Sequence, residues 1–205
     1  MKFNFNQNLD FPPELTISGF KENLTMVKET KLLGIKVTDD LKWKSNTQYI
    51  CQKAYKKMWC LRRMKSLDIE PHVILDVYLK EIRSVLELAV PAWHSGLTQK
   101  QSADIERVQK VAVTIILSDS KTGICNYSYN MGLVILDLEP LEVRREKLCI
   151  KFAKRTLKSR HSNMFKPNIN PYSTRKKPQY FTQKWNTNRF YNSPLNYLTR
   201  LLNSD

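Results

Sequence analysis

The spacing of hydrophobic residues changes near residue 40. Before it, apolar and polar positions alternate over short runs. LTIS (Leu15 to Ser18), NLTMV (Asn23 to Val27) and KLLGIKVT (Lys31 to Thr38) are brief and rich in β-favouring side chains. Thr16, Thr25 and Val37 branch at Cβ, which restricts χ1 and suits extended backbone. Pro12 and Pro13 precede these runs, and Gly19 to Glu22 reads as a turn. The first forty residues are therefore expected to form short strands.

Beyond Asp40 the period lengthens to that of a helix. Trp43, Ile50, Ala54, Met58 and Leu61 form one stripe, predicting a helix from Trp43 to Lys65 with Lys53, Lys56 and Arg63 on another side. Pro71 suits the first turn of a second helix, whose expected inward face is Leu75, Leu79, Ile82 and Leu86. Pro91 and Gly96 end it. A third helix is predicted from Thr98 to Leu117, with Ile105, Val108, Ala112 and Ile115 inward. DSKTGICN reads as a loop and YSYNMGLVIL as a short helix. Pro140 opens a last long helix, LEVRREKLCIKFAKRTLKSR, with Leu141, Leu148 and Phe152 among its apolar positions.

From His161 onward asparagine, proline, lysine and tyrosine dominate, and an irregular, partly disordered segment is expected. RFYNSPLNYLTRLLN regains apolar character, which leaves open whether it docks back as a short helix. The resulting picture is α+β, mainly α. Residues 1–40 form a β segment, residues 41–160 a helical bundle, and residues 161–205 a basic tail.

Charge adds a functional direction. The 205 residues carry 34 lysines and arginines against 19 acids, a net charge of +15. Such a surplus points to a polyanionic partner, with nucleic acid ahead of an anionic membrane surface. No apolar run approaches the ~20 residues of a membrane span, and no signal-peptide pattern opens the chain. An intracellular protein, nuclear or cytoplasmic, is expected. Cys51, Cys60, Cys125 and Cys149 form no CxxC pair, and His72, His94 and His161 are scattered. That spacing argues against structural zinc and for reduced thiols. Five glycines leave no basis for a phosphate-cradling loop, and no cofactor is expected.

Asp39 and Asp40 are adjacent acids of the kind that can hold catalytic metal ions. Their place between a strand and a long helix favours a helix cap or turn instead.

KETKLLGIKVTDDLKWKSNTQYICQKAYKKMWCLRRMKSL resembles the region just after the catalytic core in reverse transcriptases of non-LTR retrotransposons, the LINE-like elements of the jockey and chicken-repeat kind. The resemblance continues through YLKEIRSVLELAVPAWHSGLTQKQSADIERVQKVAVTIIL, resumes at LEPLEVRREKLCIKFAKR, and is weak at NRFYNSPLNYLTRLLN. It covers about Phe11 to Arg160. It implies that Leu32, Leu33 and Gly34 match the primer-grip hairpin, and that the helices match the thumb with a C-terminal extension. By the same resemblance Asp39 and Asp40 match a DDLKW turn and not the catalytic acid pair. The family's F/Y-x-D-D turn and its earlier aspartate are not present. The chain is thus expected to be a non-catalytic remnant of an RNA-directed DNA polymerase, with fingers, palm and any endonuclease missing.

A thumb grips its duplex by the phosphates, which calls for cations on a rigid helical face. Lys53, Lys56, Arg62, Arg63 and Lys65 are the candidates, for an RNA–DNA hybrid, RNA or DNA, without sequence preference. The alternative for each is a solvated helix face. Arg144, Arg145, Lys147, Lys151, Lys154 and Arg155 form a second basic run that wraps around its helix. Exposed aromatics could stack on bases. Trp43 reads as core, Trp93 as a packing anchor, and Trp59 stays open between the two roles. Tyr180, Phe181, Trp185, Phe190 and Tyr191 alternate with Lys184 and Arg189 in the tail. A competing reading is a helical interaction module that self-associates, or docks on a partner, through the surface a palm would cover.

Overall fold

The computed structural model describes residues 27–169 and 178–204. The expected strands at Leu15 to Ser18 and Asn23 to Val27, with Pro12, Pro13 and the Gly19 to Glu22 turn, lie outside them except for Val27, which is in no strand. The chain is mainly helical, with a small antiparallel sheet ahead of the helices.

KLLGIKVT is not one strand. It splits into β1 (Glu29–Leu32) and β2 (Ile35–Thr38), with Leu32 opposite Ile35 and Glu29 opposite Thr38. Leu33 and Gly34 between them have φ of 47° and 89°. Positive φ at both central residues is the type I′ hairpin geometry, whose twist matches that of the strands. Gly34 therefore sits in a turn and not within a strand. A Cβ on it would lie 2.9 Å from Leu88 Cδ2. Ile35 and Val37 on β2 are buried, whereas β1 is exposed along its length. Asn46 of the first helix accepts a hydrogen bond from the Lys36 amide at 3.1 Å, fixing the hairpin to that helix.

Helix α1 (Lys44–Ser66) buries Ile50, Ala54, Met58 and Leu61 of the predicted stripe, and Cys51 besides. Trp43 precedes it, half-buried against Gly96, where a Cβ would come within 2.6 Å of the indole. Next come α2 (Pro71–Val77), a π-helical segment (Tyr78–Arg83) and α3 (Ser84–Leu86), in one continuous run. Its fully buried residues are Ile74, Tyr78, Ile82 and Leu86. The expected Leu75 and Leu79 are only half-buried. In a regular α-helix a strict interval of four drifts about 40° per step. The wider π turn compensates for that drift and keeps all four side chains inward.

Helix α4 (Val90–Trp93) follows Ala89, whose φ is 52°. Trp93 is fully buried and donates its indole N–H to the Leu88 carbonyl at 2.8 Å. Helix α5 (Gln99–Leu117) opens with a reciprocal capping box between Thr98 and Gln101. It buries Ile105, Val108 and Ala112 as expected, but Ile116 in place of Ile115. Helix α6 (Tyr129–Ile135) is capped by Ser128.

Helix α7 (Leu141–Leu157) buries Leu141, Arg145, Cys149, Ala153 and Thr156. Leu148 is half-buried and Phe152 is 44% exposed, so the inward face runs one residue away from the expected one. Gln109 of α5 is also fully buried. It accepts from the Tyr78 hydroxyl at 2.7 Å, and donates to Tyr129 Oη at 3.0 Å and the Glu139 carbonyl at 2.9 Å. Glu106 accepts the Leu141 amide at 3.0 Å, placing a carboxylate at the positive end of α7.

The described tail packs against the bundle. After α8 (Asn188–Tyr191), helix α9 (Pro194–Ser204) lies on α4 and α7 and buries Leu198 and Leu202. Asn203 exchanges two hydrogen bonds with the Tyr180 backbone, at 2.9 and 3.0 Å. Arg189 donates to the Asp40 carbonyl, joining the tail to the turn before α1.

Candidate nucleic-acid interface

The side of α1 away from the core carries Gln52, Lys56, Trp59, Arg63 and Ser66, at intervals of four, three, four and three. Helical geometry aligns them into one stripe. All five are exposed, Trp59 to 68%. Lys56 and Arg63 point within about 20° of each other and stand roughly 10 Å apart along the axis. Lys53 lies at the edge of this stripe, toward the hairpin.

The hairpin adds cations absent from the predicted set. Lys31 and Lys36 stand 5.2 and 5.7 Å from the centre of the Tyr49 ring. Lys31 chiefly, with the charges of Lys53 and Lys36, holds the Tyr49 phenol below its usual range. Lys31, Lys36 and Lys53 therefore converge on one aromatic ring. The only signal in the sequence was the spacing of the strand lysines, which says nothing about which helix they meet. Lys36 also pairs with Glu29 at 2.6 Å.

The predicted residues do not form a single face. Lys53, Lys56, Arg62 and Arg63 are exposed, and among the described residues none has a carboxylate partner within 4.0 Å. Arg62 lies about 180° around the helix from Lys53, since nine residues turn about 900°. Lys65 belongs to neither side. It is half-buried and donates to the Ile116 carbonyl at 3.2 Å, where its charge meets the negative end of α5.

The second basic run is a structural set in large part. Arg144 makes a two-pronged pair with Glu87, and Lys147 pairs with Glu139. Arg145 is 1% exposed; it donates to Ser102 Oγ at 2.6 Å and to His94 Nδ1 at 3.3 Å. Burial, with the Arg145 charge beside it, pushes His94 down to about 4. Lys151, Lys154 and Arg155 stay exposed.

In the tail, Tyr180 packs edge-on against Phe165 with centroids 6.3 Å apart, and Trp185 lies 4.7 Å from Tyr191. The Arg200 guanidinium stacks 3.3 Å over Tyr191. These aromatics hold the tail together, although Phe181 and Trp185 remain about half exposed, at 52% and 44%.

Asp40 organises the turn and does not cap α1. Its carboxylate accepts the Lys42 amide at 3.0 Å and the Thr38 hydroxyl at 2.7 Å, which keep it below the usual carboxylate range. The N-cap position of α1 is Trp43, which makes no side-chain cap. Asp39 is exposed, and its amide bonds the Lys28 carbonyl at 3.0 Å. Among the described residues no three acids, histidines or cysteines converge. This donor set does not fit a two-metal polymerase centre.

Leu32 and Leu33 form the apolar tip of the hairpin, 57% and 91% exposed, with Leu88 packed beneath Gly34. Among the described residues no helix is long and apolar enough to cross a membrane. In comparisons with known proteins, no family model matches the chain, and no curated protein or solved structure matches it.

Proposed function

We propose that the chain is a thumb-like, non-catalytic remnant of a non-LTR retrotransposon reverse transcriptase that retains non-specific binding to nucleic acid. The observation that carries the binding role is the run of cations on one side of the molecule. Lys31, Lys36 and Lys53 gather at Tyr49, and Lys56 and Arg63 continue the line along α1. Lys53, Lys56 and Arg63, exposed on a rigid helix without a carboxylate partner among the described residues, suit phosphates, whose displaced counterions drive association; Lys36 is paired with Glu29. Lysine supplies point charges and Arg63 can take a phosphate with two N–H groups. The polymerase origin rests on the sequence resemblance.

The test is binding of the purified chain to a labelled RNA–DNA hybrid across a salt series, beside the triple variant Lys53→Ala, Lys56→Ala, Arg63→Ala. Affinity should fall steeply with salt, and the triple variant should flatten the slope by about one unit for each phosphate it no longer neutralises. A folded wild-type chain that ignores the hybrid at low salt would sink the binding role.

A second reading has its own support. The exposed Leu32 and Leu33 suit a protein contact, either self-association or docking on a partner. Association through them would be nearly indifferent to salt.

A further inference from the structure

Lys31, Lys53, Lys56 and Arg63 account for phosphates and leave Trp59 unexplained. It is the largest side chain type in the protein, and it stands 68% exposed in the middle of α1. Its helical neighbours are Tyr55 and Lys56 before it and Arg62 and Arg63 after it, three and four residues away, within about 5–6 Å between Cβ atoms. Tyr55 is itself 37% exposed. Among the described residues no ring and no cation stacks on the Trp59 indole. One wide aromatic face is therefore open, ringed by three cations.

We infer that Trp59 is a stacking platform for an unpaired base, so that this face binds single-stranded nucleic acid, with Lys56, Arg62 and Arg63 on the flanking phosphates. The inference rests on the nucleic-acid reading and goes further, because a duplex has no use for the ring. Paired bases are stacked inside the helix and present only backbone to a flat protein face, whereas a single strand offers a base plane that an indole can cover. The position of Arg62 then gains a purpose. It lies too far around α1 to share a phosphate row with Lys53, but it borders Trp59 on the opposite side from Lys56.

A membrane surface is the other polyanion that takes tryptophan. It requires a broad apolar face with leucine or phenylalanine beside the ring. Here the stripe holds Gln52, Lys56, Arg63 and Ser66, and the apolar stripe of α1 is already spent on the core.

The experiment uses the full chain with three probes: a dT oligonucleotide, the same strand with abasic sites in place of bases, and a blunt RNA–DNA hybrid. Trp59→Ala should weaken dT binding by about 5–100-fold while leaving the hybrid and the abasic strand unchanged. Trp59→Phe should restore most of the loss. With Trp185, the other exposed tryptophan, replaced by Phe in both proteins, emission should be quenched by dT when Trp59 is present, and the quench should be largely lost in Trp59→Phe, since Trp93 is buried and Trp43 half-buried. Equal affinities of wild type and Trp59→Ala for dT, or equal losses on all three probes, would overturn the platform while leaving hybrid binding intact. Failure of the wild type to bind any probe at low salt would overturn the nucleic-acid reading as well. A blue shift of Trp59 on vesicles of anionic lipid, with no quench on dT, would also overturn it. Trp59 is exposed, so its variants should keep the wild-type circular dichroism and melting profile.

Discussion

Arg145 carries its charge at 1% exposure with no carboxylate within 4.0 Å among the described residues, supported by Ser102 and His94. His94 can accept from it only through an unprotonated Nδ1, so the imidazole must stay neutral. Its value falls from 6.5 to about 4 on folding, through burial first and Arg145 second. Between those limits the unfolded chain takes up a proton that the folded chain refuses. Stability should be full above pH 6.5, decline as the pH drops, and level off below about 4. The expected loss is roughly 2–3 kcal/mol after discounting for the partial exposure of His94. Urea melts from pH 7.5 to 4, with His94→Gln as the reference, measure it; matching slopes for the two proteins would refute the role of His94. The cysteines give a second check. Burial pushes Cys51 up to about 11 and Cys149 up to about 12, while Cys60 is exposed. A thiol reagent at pH 8 should modify Cys60 rapidly and leave Cys51 and Cys149 unmodified until the chain unfolds.

Among the elements, the hairpin shows best how a pattern can mislead. Four consecutive apolar and small residues, Leu32 to Ile35, read as strand because Leu33 is a poor turn former. The backbone nevertheless turns there with φ of 47° at Leu33. Leu33→Asn should therefore stabilise the fold by about 0.5–1 kcal/mol, because Asn-Gly is the favoured type I′ pair. Gly34→Ala should destabilise it by about 1–3 kcal/mol, through its φ of 89° and its closeness to Leu88. Denaturant titration decides both signs. If the apolar tip mediates association, Leu33→Asn should also abolish it in sedimentation. The helices were more legible. α1 and α5 lie within a residue or two of their expected ends, because long amphipathic periods and the Thr98 cap state them directly. The inward face of the π-helical run was half right, Ile82 and Leu86 being buried but Leu75 and Leu79 giving way to Ile74 and Tyr78, and on α7 Leu141 is buried while Leu148 and Phe152 are not. A spacing of four there comes with a π turn in one case and a buried arginine in the other, and neither is visible in hydrophobicity.

Across the whole molecule, the sequence announced a basic protein but not where its charge would be usable. Of the two basic runs, one faces solvent and the other is largely consumed by Glu87, Glu139 and the Ser102–His94 pocket. Ion pairing between distant elements decides this, and no local pattern encodes it. Trp59 was equally ambiguous, since its helical phase sets it opposite the apolar stripe but does not say whether another element covers it there. The tail is the largest departure from expectation. Helix α9 covers α4 and α7, and the Tyr197 ring meets His94 edge-on at 5.7 Å. Removing residues 194–205 should lower the melting temperature by several degrees and expose Cys149 to thiol reagents. A truncated chain that melts like the full one would show that α9 is only a passenger.

That closure has a consequence in time. Helix α7 is made before Pro194–Ser204. At about 5–20 residues per second the interval is a few seconds. Throughout it Leu141-to-Ala153 side chains and the Arg145 pocket lack their last cover. The nascent chain thus offers chaperones and proteases a window that closes only once α9 has been made.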